Sequence, residues 1–368
     1  MILKTLTHQM PRKAVAGCAS GVLGWRVLNA EEKPYNQIVP ADGDFLRSAF
    51  QSMLKARILE NKLSSLYKAG KIVGGVYLGK GQEAISASLG TSLIQGRDCF
   101  APLIRDQAGR TAFGEPIIDC IRTYLGSVEG PMRGRDGNIH RGRPEMGMPA
   151  MISHLGAQVP LIAGMLFAKR LKGTLESCVG ATSVGDGATS TGAFHEGLNL
   201  AAVERLPMVV VVANNQFAYS TPNSRQFACA DLVDRAKGYG IGGFSVDGTD
   251  LMACASVVGE AVRLAREGGG PQMIVAQLLR LSGHGEHDDG SYVPESARRS
   301  PHGRDCIEVA TRQLVEGGFV TEAEVHAWQE EFAEEVQKAV AQAQQEPLPD
   351  PYREDWTALS TRFPVSTT

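Results

Sequence analysis

The stretch GDGATSTGAFHEGLNLAAVERLPMVVVVANN, residues 185–215, decides the fold. It follows a short apolar run, continues as a helical pattern, and contains an unbroken apolar run at residues 208–212, which is typical of a strand buried on both faces. A strand, a helix and a second strand in this order form a right-handed crossover between parallel strands. The stretch therefore predicts an α/β fold with a mostly parallel sheet and helices on both faces.

Polar side chains stand where the two predicted strands end. Asp186 ends the first strand, and Asn214 and Asn215 end the second. Parallel strands share the edge at which open α/β sheets bind ligands, and Mg²⁺ is usually held by one or two protein oxygens together with phosphate and water. A helix N-terminus favours the phosphate, and glycines on both sides of Asp186 let a ligand approach the backbone. The pattern predicts a site for a metal-bridged diphosphate; the alternative is a tight turn followed by capping asparagines.

Composition excludes several classes of protein. A chain of 368 residues with a formal charge of −3 can bury a large core and gives no reason to expect binding to nucleic acid or to an anionic membrane. Seven scattered cysteines without a CxxC pair fit a reducing compartment. No apolar stretch approaches the ~20 residues needed to span a bilayer. We expect a cytoplasmic protein of bacterial type, or an organelle-matrix protein if the first residues form a targeting peptide.

The chain reads as one domain with terminal extensions. Residues 1–40 are basic at first, with no acid before Glu31; they fit either a targeting peptide or, as we favour, an extension that is loosely ordered or contacts a partner. Residues 41–345 form the domain. Residues 346–368 form a proline-rich tail that is extended or docked on a partner.

Periodicity predicts the other elements of the domain. We expect a long helix over residues 41–70, a small-residue helix over 84–93, a helix before residue 170, an amphipathic helix over 251–266, and a buried strand over 273–279. Residues 238–248 read as short strand-like pieces, and residues 305–345 as two helices that face solvent. Residues 130–149 form an irregular, arginine-rich loop, which lines the approach of an anionic substrate or is simply a solvated basic loop.

Three further basic side chains are candidates for phosphate binding. Arg105 follows an apolar segment, and Arg280 and His284 follow the strand predicted at 273–279, on the edge of the predicted diphosphate site. An arginine in such a place is more often a surface or salt-bridge residue. His284 and His287 could also suggest a transition-metal site, but the loop lacks the further ligands that zinc requires. A histidine and an arginine that face a diphosphate are the better interpretation.

Several segments together resemble one family, the alpha subunit of the thiamine-diphosphate-dependent, decarboxylating first component of 2-oxo acid dehydrogenase complexes. A GDG followed some two dozen residues later by NN is the pattern of the thiamine-diphosphate fold. The resemblance spans roughly residues 40–350, in the order of the family. The matching segments are GKGQEA (79–84), IRD (104–106), NIHRG (138–142), LGAQVPL (155–161), GDGATSTGAFHEGLNLAAVERLP (185–207), NNQFAYSTP (214–222), YGIGGFSVDGTD (239–250) and RLSGHGEHDD (280–289).

The resemblance implies a role for individual residues near the metal. Asp186, Asn215 and the main-chain carbonyl of Phe217 match the magnesium ligands of the family. Gln158 matches a residue near a structural potassium ion in some members.

The resemblance also implies contacts to thiamine diphosphate. Arg105, Arg280 and His284 match groups that hold the diphosphate, and His284 also lies close to the reacting thiazolium ring. Gly187 and Ala188 match main-chain contacts to the phosphates. The remaining matches, to the aminopyrimidine ring and to the bent shape of the cofactor, are Ser153 and Leu155.

The reaction implied is decarboxylation of a 2-oxo acid, either pyruvate or a branched-chain acid, and passage of the acyl group to a lipoyl arm on an acyltransferase component. His284 would act as an acid–base or hydrogen-bonding group. The glutamate that activates the aminopyrimidine ring belongs to a separate beta subunit in this family, so we expect a heterotetramer of two alpha and two beta chains. This chain departs from the family at Ile104, Ala213 and Gly285, the last of which replaces a serine that is phosphorylated in mitochondrial relatives.

Two alternatives stay open. An acetoin dehydrogenase alpha subunit shares every segment quoted above. A non-catalytic nucleotide-binding or scaffold protein would instead carry a GxGxxG at its first strand and a ribose-binding acid about 20 residues later, and neither is clear in this chain.

Overall fold

The computed structural model describes residues 41–357, so the predicted N-terminal extension and the last part of the predicted tail lie outside the described residues. The strands of this part of the chain are β1 (Cys99–Ala101), β2 (Gly180–Gly185), β3 (Met208–Asn214), β4 (Phe217–Ala218), β5 (Thr221–Pro222), β6 (Gly242–Asp247) and β7 (Gln272–Gln277). Five of them form a parallel sheet in the order β1-β2-β3-β7-β6. β4 and β5 form a separate antiparallel pair.

Helices surround the sheet. In residues 41–357 they are α1 (Gly43–Lys68), α2 (Glu83–Ser92), α3 (Gln107–Phe113), α4 (Ile117–Leu125), α5 (Gln158–Leu171), α6 (Gly192–Val203), α7 (Asp234–Tyr239), α8 (Leu251–Arg266), α9 (Glu295–Arg298), α10 (Cys306–Glu316) and α11 (Glu322–Ala343). Within the same range, every helix is too short or too polar to cross a bilayer.

The central strand β3 explains the two-sided packing. All seven of its residues are buried, and successive valines point to opposite faces of the sheet. Val209 and Val211 pack into a core that includes residues of α2 and α8. Val210 and Val212 pack into a second core that includes residues of α5 and α6. The predicted α/β fold with helices on both faces of a parallel sheet is therefore confirmed.

The crossover from β2 to β3 contains a short turn between the strand and the helix. The helix does not follow Asp186 directly, because a 3-10 turn occupies Asp186–Ser190 and α6 begins at Gly192. Hydroxyl groups hold this turn: Thr189 Oγ1 donates to Asp186 O at 2.6 Å, and Thr191 Oγ1 donates to Ala188 O at 2.8 Å. Such local side-chain bonds compete with a regular helix.

Two other expectations need correction. Residues 238–248 hold the end of α7 and the single strand β6 instead of short strand pieces, because Gly240 adopts a left-handed conformation that ends the helix. The two C-terminal helices do not simply face solvent. α11 buries a stripe formed by Phe332, Val336 and Val340, at the four-residue spacing that places side chains on one face of a helix.

A buried ion network holds the irregular loop of residues 130–149. The Glu115 carboxylate lies 3.0 Å from Arg110 Nη1 and 2.8 Å from Arg141 Nη2, and all three side chains are buried. Burial raises the pKa of Glu115, but the guanidinium groups of Arg141 and Arg110 outweigh it, so the pKa of Glu115 is lowered. Arg141 Nη2 also donates to Gln107 Oε1 at 2.7 Å. The network therefore attaches the loop to α3.

The start of the predicted tail is attached to the domain. The Glu346 carboxylate accepts hydrogen bonds from Arg122 Nη2 at 2.6 Å and from Ser127 Oγ at 2.5 Å. Pro347 O accepts a hydrogen bond from Val128 N at 3.0 Å. The tail therefore leaves the domain beside α4.

We predict that Glu115→Ala destabilises the protein by about 3–5 kcal/mol, because it leaves two buried guanidinium groups without their carboxylate. Thermal unfolding measures the effect as a lower midpoint. The control is Glu334→Ala, which removes an exposed pair with Lys338 and should leave the midpoint close to that of the wild type. Equal midpoints for the two variants would contradict the account of the loop.

Candidate functional site

The carboxyl ends of three neighbouring strands define the candidate site. The strand register pairs Gly185 with Ala213 and Asn214 with Gln277. Residues 186, 215 and 280 therefore leave the sheet at one edge, as the crossover predicts.

Three oxygen atoms converge at this edge. The inward position of the Asn215 amide lies 2.9 Å from Phe217 O and 3.1 Å from Asp186 Oδ1. An amide can place either its nitrogen or its oxygen at such a position. The nitrogen would donate to both atoms, whereas the oxygen would join them as a third ligand of a cation. A carboxylate, an amide oxygen and a main-chain carbonyl are the donors that Mg²⁺ prefers, so these residues fit a magnesium ion.

Asp186 is buried, and Gln226 holds its second oxygen. Gln226 Nε2 donates to Asp186 Oδ2 at 2.6 Å, which leaves Oδ1 directed at Asn215 and Phe217. Burial raises the pKa of Asp186 above its ordinary value, and a bound divalent cation would favour the ionised form. Gln226 is not among the residues predicted from the sequence. It lies in a polar loop whose composition gives no signal for its contact with Asp186.

The two asparagines at the end of β3 have different partners. Asn214 Nδ2 donates to Gln277 Oε1 at 2.9 Å, and Asn214 Oδ1 accepts a hydrogen bond from Asn223 Nδ2 at 2.7 Å. Both polar atoms of Asn214 are thus used in joining β3, β7 and the loop after β5. Asn215 is the one that faces Asp186.

Of the two glycines beside Asp186, only one is required by packing. A Cβ atom on Gly187 would lie 2.5 Å from the Cβ of Ala218, so packing requires glycine at this position. A Cβ atom on Gly185 would meet no atom within 4 Å. Packing therefore does not explain Gly185, where the open space leaves room for a ligand beside the backbone.

Two buried arginines add positive charge at this edge of the sheet, and the carboxylates of Asp186 and Asp288 act on Arg280 without a direct ion pair. Arg105 and Arg280 are each 4% exposed. Arg105 Nη2 donates to His284 O at 2.6 Å, and Arg280 donates to Phe217 O at 3.2 Å and to Tyr219 O at 3.0 Å. Among residues 41–357, neither arginine forms a salt bridge. A buried cation is costly without a counter-charge, so this pair of arginines suits an anionic ligand.

Glu60 does not supply that counter-charge. It lies near Arg105, but burial and the charge of Glu83 raise the pKa of Glu60 to about 8. The group is therefore largely protonated at neutral pH, and its Oε1 accepts a hydrogen bond from Gly79 N at 2.7 Å. Burial and the charge of Arg280 lower the pKa of Arg105 to about 10, so Arg105 stays charged at neutral pH.

His284 is neutral and has a defined tautomer. Burial, followed by the charges of Arg105 and Arg280, lowers the pKa of His284 to about 4. Arg105 Nη2 lies 3.3 Å from His284 Nδ1. A guanidinium group can only donate, so Nδ1 accepts and Nε2 carries the proton. The ring packs against Tyr219, with ring centres 4.4 Å apart, a contact that the sequence analysis did not foresee.

A network fixes the loop that carries His284. Asp288 Oδ2 accepts hydrogen bonds from His284 N at 2.5 Å and from the Tyr292 hydroxyl at 2.6 Å. The same hydroxyl accepts a hydrogen bond from Arg280 Nη2 at 2.5 Å. Asp288 and Tyr292 thereby hold Arg280 and His284 in one arrangement.

An apolar cavity of ≈ 170 Å³ lies beside this network. His284, Ala188, Ser153 and Leu155, each a candidate from the sequence, lie on its wall. The rest of the wall is mostly apolar and includes Ile104. The structure thus brings the candidates into two adjoining groups: the charged groups and oxygens at the sheet edge, and the residues of this cavity.

Together these features define a class of site: an oxygen cluster that fits a cation, beside two buried arginines without a salt bridge in residues 41–357, at the carboxyl edge of a parallel sheet and adjoining an apolar cavity. Residues 51–352 match the sequence model of the family described as "Dehydrogenase E1 component". The chain belongs to this family of enzyme components, which excludes the scaffold hypothesis. Family membership implies dependence on thiamine diphosphate.

Relatives of two kinds are similar to this chain. The alpha subunit of acetoin:2,6-dichlorophenolindophenol oxidoreductase from Cupriavidus necator is 34% identical over 88% of this chain and 97% of the relative. The pyruvate dehydrogenase E1 component subunit alpha from Rhizobium meliloti is 32% identical over 82% of this chain and 86% of the relative. A chloroplastic counterpart from Oryza sativa is 28% identical over 82% and 72%. Alpha subunits of this kind imply a beta subunit as partner.

We predict that Arg105→Gln raises the pKa of His284 from about 4 toward its ordinary value, because it removes the charge that, after burial, lowers this pKa most. Diethyl pyrocarbonate reacts only with neutral imidazole, so its rate of reaction with His284 against pH, followed by peptide mass spectrometry, measures this pKa. Arg299→Gln, which changes an exposed arginine of α9, should leave the profile unchanged. An unchanged profile in Arg105→Gln would disprove the electrostatic coupling.

Proposed function

We propose that this chain is the alpha subunit of a decarboxylating E1 component that oxidatively decarboxylates a 2-oxo acid, pyruvate or a branched-chain acid, with thiamine diphosphate and Mg²⁺. The acyl group then passes to a lipoyl group on an acyltransferase component. The observation that carries the proposal is the convergence of Asp186, Asn215 and Phe217 O beside two buried arginines that form no salt bridge within residues 41–357.

The charges at the sheet edge suit a metal-bound diphosphate. Asp186, Asn215 and Phe217 O would hold Mg²⁺, and Arg105 and Arg280 would bind the diphosphate. The main-chain groups of Gly187 and Ala188 lie directly after the metal ligand, in the turn where contacts to the phosphates are expected. The phosphate would supply an anion for the guanidinium groups, and the metal would supply a cation for the oxygens.

The cavity and His284 suit the rings of the cofactor and the substrate. Ser153 and Leu155 would contact the aminopyrimidine ring from the cavity wall. When bound, thiamine diphosphate supplies the electron sink for decarboxylation, while the protein orients it. His284 Nε2–H would donate a hydrogen bond to an oxygen of the substrate or to the lipoyl group, because Arg105 occupies Nδ1. Burial and the two neighbouring cations make this ring a weaker base and a better hydrogen-bond donor than a free imidazole.

A potassium ion is also proposed, next to Gln158. The side chain is buried, and its Nε2 donates to Ile152 O at 2.9 Å. That contact fixes the Gln158 amide, so that its oxygen is free to serve as one ligand of a monovalent cation.

The assembly is proposed to be a heterotetramer of two alpha and two beta chains. The beta subunit would contribute the glutamate that activates the aminopyrimidine ring, so this chain should be inactive alone. We place the protein in the cytoplasm of a bacterium or in an organelle matrix, in agreement with its bacterial and chloroplastic relatives.

Oxidative cleavage of acetoin is the second candidate function. Its support is the 34% identity with an alpha subunit named for acetoin oxidation. The same site would serve both reactions, so the substrate must be decided by assay.

We predict that the chain co-expressed with its beta subunit, given thiamine diphosphate and Mg²⁺, reduces an artificial electron acceptor with a 2-oxo acid as donor. Pyruvate, branched-chain 2-oxo acids and acetoin are tested in parallel, and the preferred donor decides between the two functions. Asp186→Ala should lower the rate by more than about 100-fold, since even outer-shell partners of metal ligands contribute about 10–100-fold.

Asp44→Ala, which changes an exposed residue of α1, is the control and should keep the wild-type rate. Activity of this chain without a beta subunit would refute the proposed assembly. Full activity of Asp186→Ala would refute the proposed metal site.

A further inference from the structure

A second carboxylate, besides that of Asp288, holds the loop that carries His284. Glu286 Oε2 lies 2.6 Å from Ser64 Oγ and 3.5 Å from Lys68 Nζ. Ser64 and Lys68 both belong to α1, and their spacing of four residues places them on one face of that helix. The Glu286 side chain is only 10% exposed. Glu286 therefore turns inward and joins the loop to α1.

Ser64 makes the stronger of the two contacts with Glu286. An ionised carboxylate can only accept, so Ser64 Oγ donates its proton to Glu286 Oε2. A hydrogen bond to a charged acceptor is stronger than one between neutral groups, and Ser64 is buried. The Lys68 side chain is 71% exposed, and an ion pair with an exposed lysine contributes little. The Ser64 hydroxyl is therefore the point on α1 to which Glu286 is anchored.

The main chain is fixed at the same place. Glu286 N donates to Val76 O at 2.9 Å, and a Cβ atom on Gly285 would lie 3.2 Å from that carbonyl oxygen. The next residue, Tyr77, meets the His284 ring edge-on, with ring centres 5.5 Å apart. The anchor therefore lies two residues from the His284 ring and beside a segment that the ring contacts.

The neighbouring side chains of the loop have other roles. Asp288 accepts hydrogen bonds from His284 N, Gly290 N and the Tyr292 hydroxyl, all of which belong to the loop itself. His287 is exposed. Asp288 thus fixes the shape of the loop, whereas Glu286 fixes the place of the loop on α1.

We propose that Glu286 is a positioning residue: its carboxylate, bound by the Ser64 hydroxyl, holds the loop of residues 282–292 against α1 and thereby keeps His284 beside Arg105. This inference rests on the proposed function, in which His284 Nε2–H donates a hydrogen bond to the substrate or the lipoyl group. Glu286 does not lie on the wall of the cavity. It acts through His284.

Amide hydrogen exchange of the loop tests the anchor without any turnover. It is followed by mass spectrometry on peptides that span residues 282–292, in the complex with the beta subunit. Thiamine diphosphate is left out, because it would itself hold the loop through Arg280 and His284. Glu286→Ala and Ser64→Ala should each speed exchange of the amide of residue 286 by about tenfold, since a hydrogen bond to a charged group is lost. The double variant should exchange no faster than the single variants, because both changes remove the same contact.

Two matched variants separate this hydrogen bond from other effects on the loop. Glu286→Gln keeps a side-chain oxygen that accepts the Ser64 proton, so its exchange should stay as slow as in the wild type. Lys68→Met removes only the ion pair with an exposed lysine, so it should also leave the exchange unchanged.

Turnover of the loaded complex then tests whether the anchor positions His284. With the donor that the wild type prefers, Glu286→Ala should lower kcat by about tenfold, because a misplacement of ~1 Å at a reacting group costs up to about 100-fold. KM should change less than kcat, because Glu286 does not line the cavity. Glu286→Gln should recover the wild-type kcat.

The outcomes separate this inference from the proposed function. Wild-type exchange in both Glu286→Ala and Ser64→Ala would show that Glu286 does not anchor the loop, while the proposed function stands. Faster exchange with an unchanged kcat would show that the anchor does not position His284, which also overturns the inference. If the wild-type complex turns over neither a 2-oxo acid nor acetoin, the proposed function itself fails, and the positioning role fails with it.

Discussion

Two buried arginines without a salt bridge among residues 41–357 set the charge at the carboxyl edge of the sheet. Arg105 and Arg280 are held by main-chain carbonyls and by a tyrosine hydroxyl, none of which neutralises a guanidinium charge. The nearby acid Glu60 is kept largely neutral by its burial. The proposed diphosphate would face these guanidinium groups, and the proposed metal ion would lie beside Asp186, Asn215 and Phe217 O.

The features that could be predicted from the sequence are those with a local signature. The apolar run of β3 and the glycines around Asp186 lie within one crossover, and parallel strands must deliver their carboxyl ends to one edge. The pattern of residues alone could not distinguish Asn214 from Asn215, which only the family resemblance separated, because the distinction depends on contacts with Gln277 and Asn223. Gln226 was missed for the same reason: its bond to Asp186 joins residues 40 positions apart.

The three departures from the family have different structural settings. Ile104 lies on the cavity wall, where it adds to an apolar surface. Ala213 is buried within β3. A Cβ atom at position 285 would lie 2.7 Å from the His287 ring and 3.2 Å from Val76 O, so the loop closes tightly over glycine at this point. The loop that carries His284 is held instead by Asp288 and Tyr292.

The central claim is that one metal ion joins the oxygen cluster to the diphosphate. Electron–nuclear double resonance tests it most directly, with Mn²⁺ in place of Mg²⁺ in the complex of this chain with its beta subunit and thiamine diphosphate. The account predicts a phosphorus hyperfine coupling to the bound Mn²⁺ that is lost in Asn215→Leu, since a leucine has no oxygen for the metal. A bound Mn²⁺ without phosphorus coupling, or a coupling that persists unchanged in Asn215→Leu, would contradict it.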